Sequence, residues 1–117
     1  MSAFEIKNEK ELVVLHRALF AAKFPGANQD PALIGSPVLA NLANRVVQAL
    51  SESQKQENWE EWRQAEKHEH IIQFVKKQIG TVSSLWETWS EEEKESYISY
   101  LLSPLIPGKA LMKELLK

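Results

Sequence analysis

Apolar residues in this chain recur at steps of three and four nearly throughout. Apart from the pair Phe4 and Ile6, they nowhere alternate with polar residues in the two-residue period of a half-buried strand. A sheet has nothing to be built from, so the pattern predicts an all-α fold, a compact helical bundle of five or six helices with no sheet. At 117 residues the chain has the usual size of one domain, and residues 1–117 are expected to share a single core.

The helix ends are written in capping residues. Asn8 and Glu11 have the spacing of a capping box, which satisfies backbone donors left free at a helix start, and a first helix is expected over residues 8–24. Its row Leu12, Leu15, Leu19 and Ala22 is flanked by Val13, His16, Phe20 and Phe24, a face wide enough to meet several helices. Pro25 and Gly26 should end it, and the segment to Gly35, with Asn28, Asp30 and Pro31, reads as an ordered loop or a single short turn anchored by Leu33 and Ile34. Ser36 and Pro37 read as an N-cap and a first helical residue, because proline fixes a helical φ where its missing N–H costs nothing. From there Leu39, Leu42, Ala43, Val46, Val47 and Leu50 form one stripe, with Asn41, Asn44, Arg45 and Gln48 opposite.

Apolar residues vanish between Ser51 and Asn58, which places a break near Ser51 to Ser53. Trp59 to Ile79 is expected to be one continuous third helix, with Trp62, Ala65, Ile72, Val75 and Ile79 in line, Ile71 and Phe74 widening the face, and Gly80 terminating it. After a short connection, Ser90 and Glu93 make a second capping box and open a helix through Tyr97, Ile98, Leu101 and Leu102, which Pro104 and Pro107 end. Residues 109–117 form a last small amphipathic helix, with Leu111, Met112, Leu115 and Leu116 on one side and Lys109, Lys113 and Lys117 on the other.

Composition removes several function classes. The chain has no cysteine, which excludes disulfides, thiolate metal sites and thiol nucleophiles and matches proteins of the reducing cytoplasm, the expected location. The most apolar stretch, Leu12 to Ala22, follows Lys7 and Lys10 as a signal peptide would. His16 and Arg17 interrupt it, however, and it reads as a core helix. No stretch approaches the roughly 20 apolar residues that span a bilayer, so no membrane is expected. A net charge of -2 and dispersed basic residues argue against nucleic acid. Only Asn41, Asn44 and Arg45 come near the make-up of a DNA-reading helix.

No constellation for catalysis stands out. His68 and His70 are two positions apart and point about 200° from each other around a helix. Glu66 and His70, with Glu69 nearby, are the weak metal candidates, giving at best two ligands on one face, and no metal or other cofactor is expected. His16, between Val13 and Phe20, reads as a core-edge histidine. The carboxylates from Glu57 to Glu69 sit among polar surface residues, and Glu91 to Glu93 suit a helix first turn, where the dipole stabilises negative charge. An enzyme is not the leading expectation.

The tryptophans are the surplus feature. Trp59 with Trp62 and Trp86 with Trp89 are each spaced three apart, and a shift of 27 positions superposes Trp59, Glu60, Trp62, Glu66, Lys67 and Ile71 on Trp86, Glu87, Trp89, Glu93, Lys94 and Ile98. Two units fall short of a repeat array, and coincidence is the favoured explanation. The pairs serve either as core or as an aromatic interaction patch. The last helix, through Leu111, Met112 and Leu115, docks either on its own bundle or on a partner, since so short a helix is unstable alone. The leading expectation is a non-enzymatic helical regulator or adaptor acting through contacts with another protein or with a second copy of itself. The alternative is a ligand-binding or sensor bundle with a tryptophan-lined pocket for a small apolar molecule.

Overall fold

The computed structural model describes residues 4–24 and 31–117, and their fold is all-α, with five helices of seven residues or more and no strand among the described residues. In chain order the elements are α1 (Glu9–Lys23), α2 (Pro31–Ile34), α3 (Pro37–Ser53), α4 (Trp59–Trp62), a 3-10 turn (Ala65–Lys67), α5 (Glu69–Thr81), α6 (Ser83–Trp86), α7 (Glu91–Leu102) and α8 (Lys109–Leu116). The loop read over Pro25 to Asp30 lies outside the described residues.

Local chemistry sets the helix starts. Asn8 Oδ1 accepts from Glu11 N at 2.9 Å, but the return half of the expected box is redirected, because Glu11 Oε1 accepts from Lys7 N at 2.7 Å. Ser36 Oγ accepts from Leu39 N, and Ser90 with Glu93 forms the complete reciprocal box. Each such cap is worth about 1 kcal/mol. The break after Ser53 falls where the apolar stripe stops, and Gln54 closes α3 by donating its N–H to the Leu50 carbonyl.

The continuous helix expected from Trp59 to Ile79 is instead three pieces. Ile106 N donates to the Arg63 carbonyl at 2.6 Å and Ala65 N donates to the Ile106 carbonyl at 3.0 Å, so the segment after α7 takes the backbone groups that would carry α4 onward. The single Ala65 N–H is spent on Ile106 and cannot also reach back to the Glu61 carbonyl, so the helical ladder of α4 stops here. Ala65, fully buried at this crossing, leaves room for the approach. The connection expected before Ser90 contains one further turn of helix, α6.

The core sits around α7, which meets α3, α5 and α8. Ile98, Leu101 and Leu102 pack with Ile71, Ile72 and Val75 of α5, with Trp86, and with Leu111 and Leu115 of α8. Helix α1 lies antiparallel to α3, as Ser53 Oγ donates to Glu9 Oε1 at 2.7 Å from the far end of α3 to the start of α1. Val46, Val47 and Leu50 of α3 are buried, together with Ala40 and Ala43. No helix of the described residues is long and apolar enough to cross a membrane.

Candidate functional site

The two tryptophan pairs do different things. Trp59 and Trp62 lie on α4 with ring centroids 5.3 Å apart, and His16 of α1 meets both edge-on at 5.3 and 5.1 Å. Phe20 adds a contact to Trp62 at 5.4 Å, His68 Nε2 lies 2.7 Å from the Trp62 carbonyl, and the Trp59 indole N–H donates to Gln54 Oε1. Edge-to-face packing of this kind satisfies the ring quadrupoles and fastens α1 to α4. Burial lowers the His16 pKa, with Arg17 adding to the effect, which favours the neutral ring between the tryptophans.

Trp86 is buried at the end of α6, and Trp89 follows in the turn before α7, half-buried, its ring 6.0 Å from Trp86 and 5.2 Å from Tyr97. The two halves of the 27-residue match therefore adopt different local structures, since Trp59 and Trp62 share one helical turn and Trp86 and Trp89 do not.

Trp89 opens onto a cleft of about 510 Å³ between α7 and the turn that precedes α3. Ser96, Tyr97 and Tyr100 of α7 form one wall with Trp89, and Gly35 and Pro37 form the other. Positions 92, 96 and 100 follow each other at four-residue steps and so stack on one face of α7, which brings Glu92 into the lining of the same cleft, and Glu93 lines it too. The Tyr97 phenol is pushed above its ordinary pKa by burial, so it remains neutral across the physiological range. Next to Pro37, Val38 is 78% exposed, and Leu33 and Tyr100 are also exposed. Sequence reasoning singled out Trp89 but read Tyr97 as helix core and passed over Tyr100. Part of the signal was present, since Tyr97 and Tyr100 are three apart and so neighbour each other on α7, whereas Trp89 precedes the helix.

The remaining sequence candidates are placed elsewhere. Leu111 and Leu115 are buried against the bundle, which leaves Met112 and Leu116 half-exposed on α8 beside the lysines. Glu66 Oε2 accepts from Gly108 N at 2.7 Å and so holds the start of α8, while Glu69 Oε1 accepts from Gln73 Nε2. Glu66, Glu69 and His70 are not brought together, and no group of three or more metal-ligating side chains gathers among the described residues.

Two features escaped the sequence reading. The side of α1 that carries Val14, Leu15 and Ala18 forms a groove of about 600 Å³ with the extended residues Phe4 to Lys7, edged by Lys10 and Glu11. The other feature is Lys23, which is buried at 1% exposure and donates to the carbonyls of Tyr100 and Ser103, both at 2.6 Å. Nearby, Arg63 donates from Nε to the Pro104 carbonyl and from Nη2 to Asn44 Oδ1, and Asn44 Nδ2 reaches Ser103 Oγ. The end of α7 is thus capped by two basic side chains, which donate to the carbonyls of Tyr100, Ser103 and Pro104. This fixes Tyr100 and with it one wall of the cleft.

Comparison with protein-family models, with curated proteins and with solved structures finds no match to this chain.

Proposed function

We propose that this chain is a non-enzymatic adaptor or regulator of the cytoplasm that binds another protein through the cleft between α7 and the turn before α3. The observation that carries the reading is the wall of Trp89, Tyr97 and Tyr100, which faces Gly35 and Pro37 across a cleft open to solvent, with Val38 exposed next to Pro37 in the chain. Aromatic side chains bury much area at low entropic cost, which is why they concentrate the binding energy of interfaces. The wall is also rigid, because α7 is packed on α3, α5 and α8 and its end is fastened by Lys23 and Arg63. By contrast, the groove beside α1 has one wall of only four residues, tied down through Lys7 N and Asn8. An open cleft favours a side chain presented by a partner over the small apolar molecule of the alternative reading, since small-ligand sites enclose most of the ligand.

Selection of binders from a random peptide library tests this. Selected peptides are expected to protect the backbone amides of residues 92–100 from hydrogen exchange and to lose binding to Ser96→Arg, which fills the cleft from an exposed position without touching the core. Protection confined to another surface, or binders indifferent to Ser96→Arg, would show that the cleft is not the interaction site.

A further inference from the structure

We infer that the cleft takes a cationic side chain, an arginine or lysine of a basic partner segment; this rests on the reading of the cleft as the interaction site. Glu92 and Glu93 are the charged side chains that line it, and no basic side chain does so among the described residues. One Glu93 oxygen is committed to the Ser90 N–H, whereas the exposed Glu92 makes no hydrogen bond among the described residues and is free to meet a cation. The same cleft is lined by the rings of Trp89, Tyr97 and Tyr100, and aromatic faces attract ammonium and guanidinium groups.

The neighbouring ring already behaves this way inside the molecule. The Lys94 ammonium lies 5.2 Å from the centroid of Trp86, on the ring that contacts Trp89. Carboxylates alone at this position would do no more than complement the α7 dipole. It is the aromatic wall beside them that turns the place into a receptor, because a carboxylate supplies the charge pairing while the ring supports the alkyl stem and the flat face of the cation. Arginine suits it best, since the guanidinium can stack on a ring and present two N–H groups to one carboxylate together.

The test uses the whole chain, uniformly labelled for NMR, and two blocked tripeptides, acetyl-Leu-Arg-Leu-amide and its citrulline counterpart, which keeps the shape and loses the charge. The arginine peptide is expected to shift the Trp89 indole N–H and the amides of Glu92, Ser96 and Tyr100, to bind about tenfold more tightly than the citrulline peptide, and to weaken by a similar factor with Glu92→Gln. Equal binding of the two peptides at these residues would overturn the cationic preference and leave the cleft as an apolar interaction site. Shifts from neither peptide at any of these residues would overturn the cleft itself.

Discussion

The ammonium group of Lys23 donates to the backbone oxygen of Ser103 at 2.6 Å, joining positions eighty residues apart, and no carboxylate meets it among the described residues. Burial disfavours the charged form and pulls its pKa from 10.5 down to about 7. Between those values the unfolded chain holds a proton that the folded chain has lost, so stability rises with pH across that window. Raising the pH from 7 to about 9 is expected to add about 2 kcal/mol to the free energy of unfolding measured in urea, and Lys23→Met should flatten the curve. A wild-type curve that is level over this range would rule the effect out.

How far this was readable in advance depends on the residue. The starts at Asn8, Ser36 and Ser90 and the stripe from Leu39 to Leu50 were legible, because caps and amphipathic faces are local. The split of Trp59 to Ile79 was not, because the groups that cause it, Ile106 N and O, lie some forty residues on, and periodicity cannot report a long-range hydrogen bond. Lys23 was visible as a lysine in line with Leu12, His16 and Leu19, yet nothing in the sequence shows the carbonyls that receive it. Likewise Trp89 was recognisable as a candidate, while its cleft needed the turn at Gly35 and Pro37 to supply the second wall.

His16 works in the opposite part of the pH scale. Its pKa is lowered by burial from 6.5, so the neutral ring stabilises the fold above that pH and the contribution is lost as the pH falls below it. Acidification should therefore lower the unfolding temperature and alter tryptophan emission together, since the ring touches Trp59 and Trp62. In His16→Phe, which keeps an aromatic ring and cannot take a proton, most of the drop should be absent.

A methyl group on Gly108 would stand 2.6 Å from Glu66 Oε2. The carboxylate is the end of a flexible side chain and can withdraw, but only by giving up the Gly108 N–H. Gly108→Ala is expected to cost about 1 kcal/mol or less. Combining it with Glu66→Ala should cost little more than either change alone, because both remove the same bond. Fully additive losses in chemical denaturation would show that the two residues act independently.

Asn44 links the half-buried Arg63 to the buried Ser103, accepting from Arg63 Nη2 at 2.9 Å and donating to Ser103 Oγ at 3.2 Å. Asn44→Ala strands a guanidinium donor in a half-buried place and should lower stability by about 1 to 3 kcal/mol. Asn44→Asp keeps an acceptor and adds the charge that Arg63 otherwise lacks there, so its loss should be smaller. Equal losses in the two variants, read from urea midpoints, would exclude the Arg63 contact as the cause.

The attachment of Lys23 and Arg63 to the carbonyls of residues 100–104 also sets an order of events during synthesis. While the ribosome is still adding α7, Lys23 at the end of α1 lacks the carbonyls of Tyr100 and Ser103 that receive it, and α4 lacks the backbone partner that ends it. A chain that stops before residue 100 therefore leaves uncovered the apolar faces of α3 and α5 that pack on α7, and it is expected to be cut by proteases faster than a chain that includes α7.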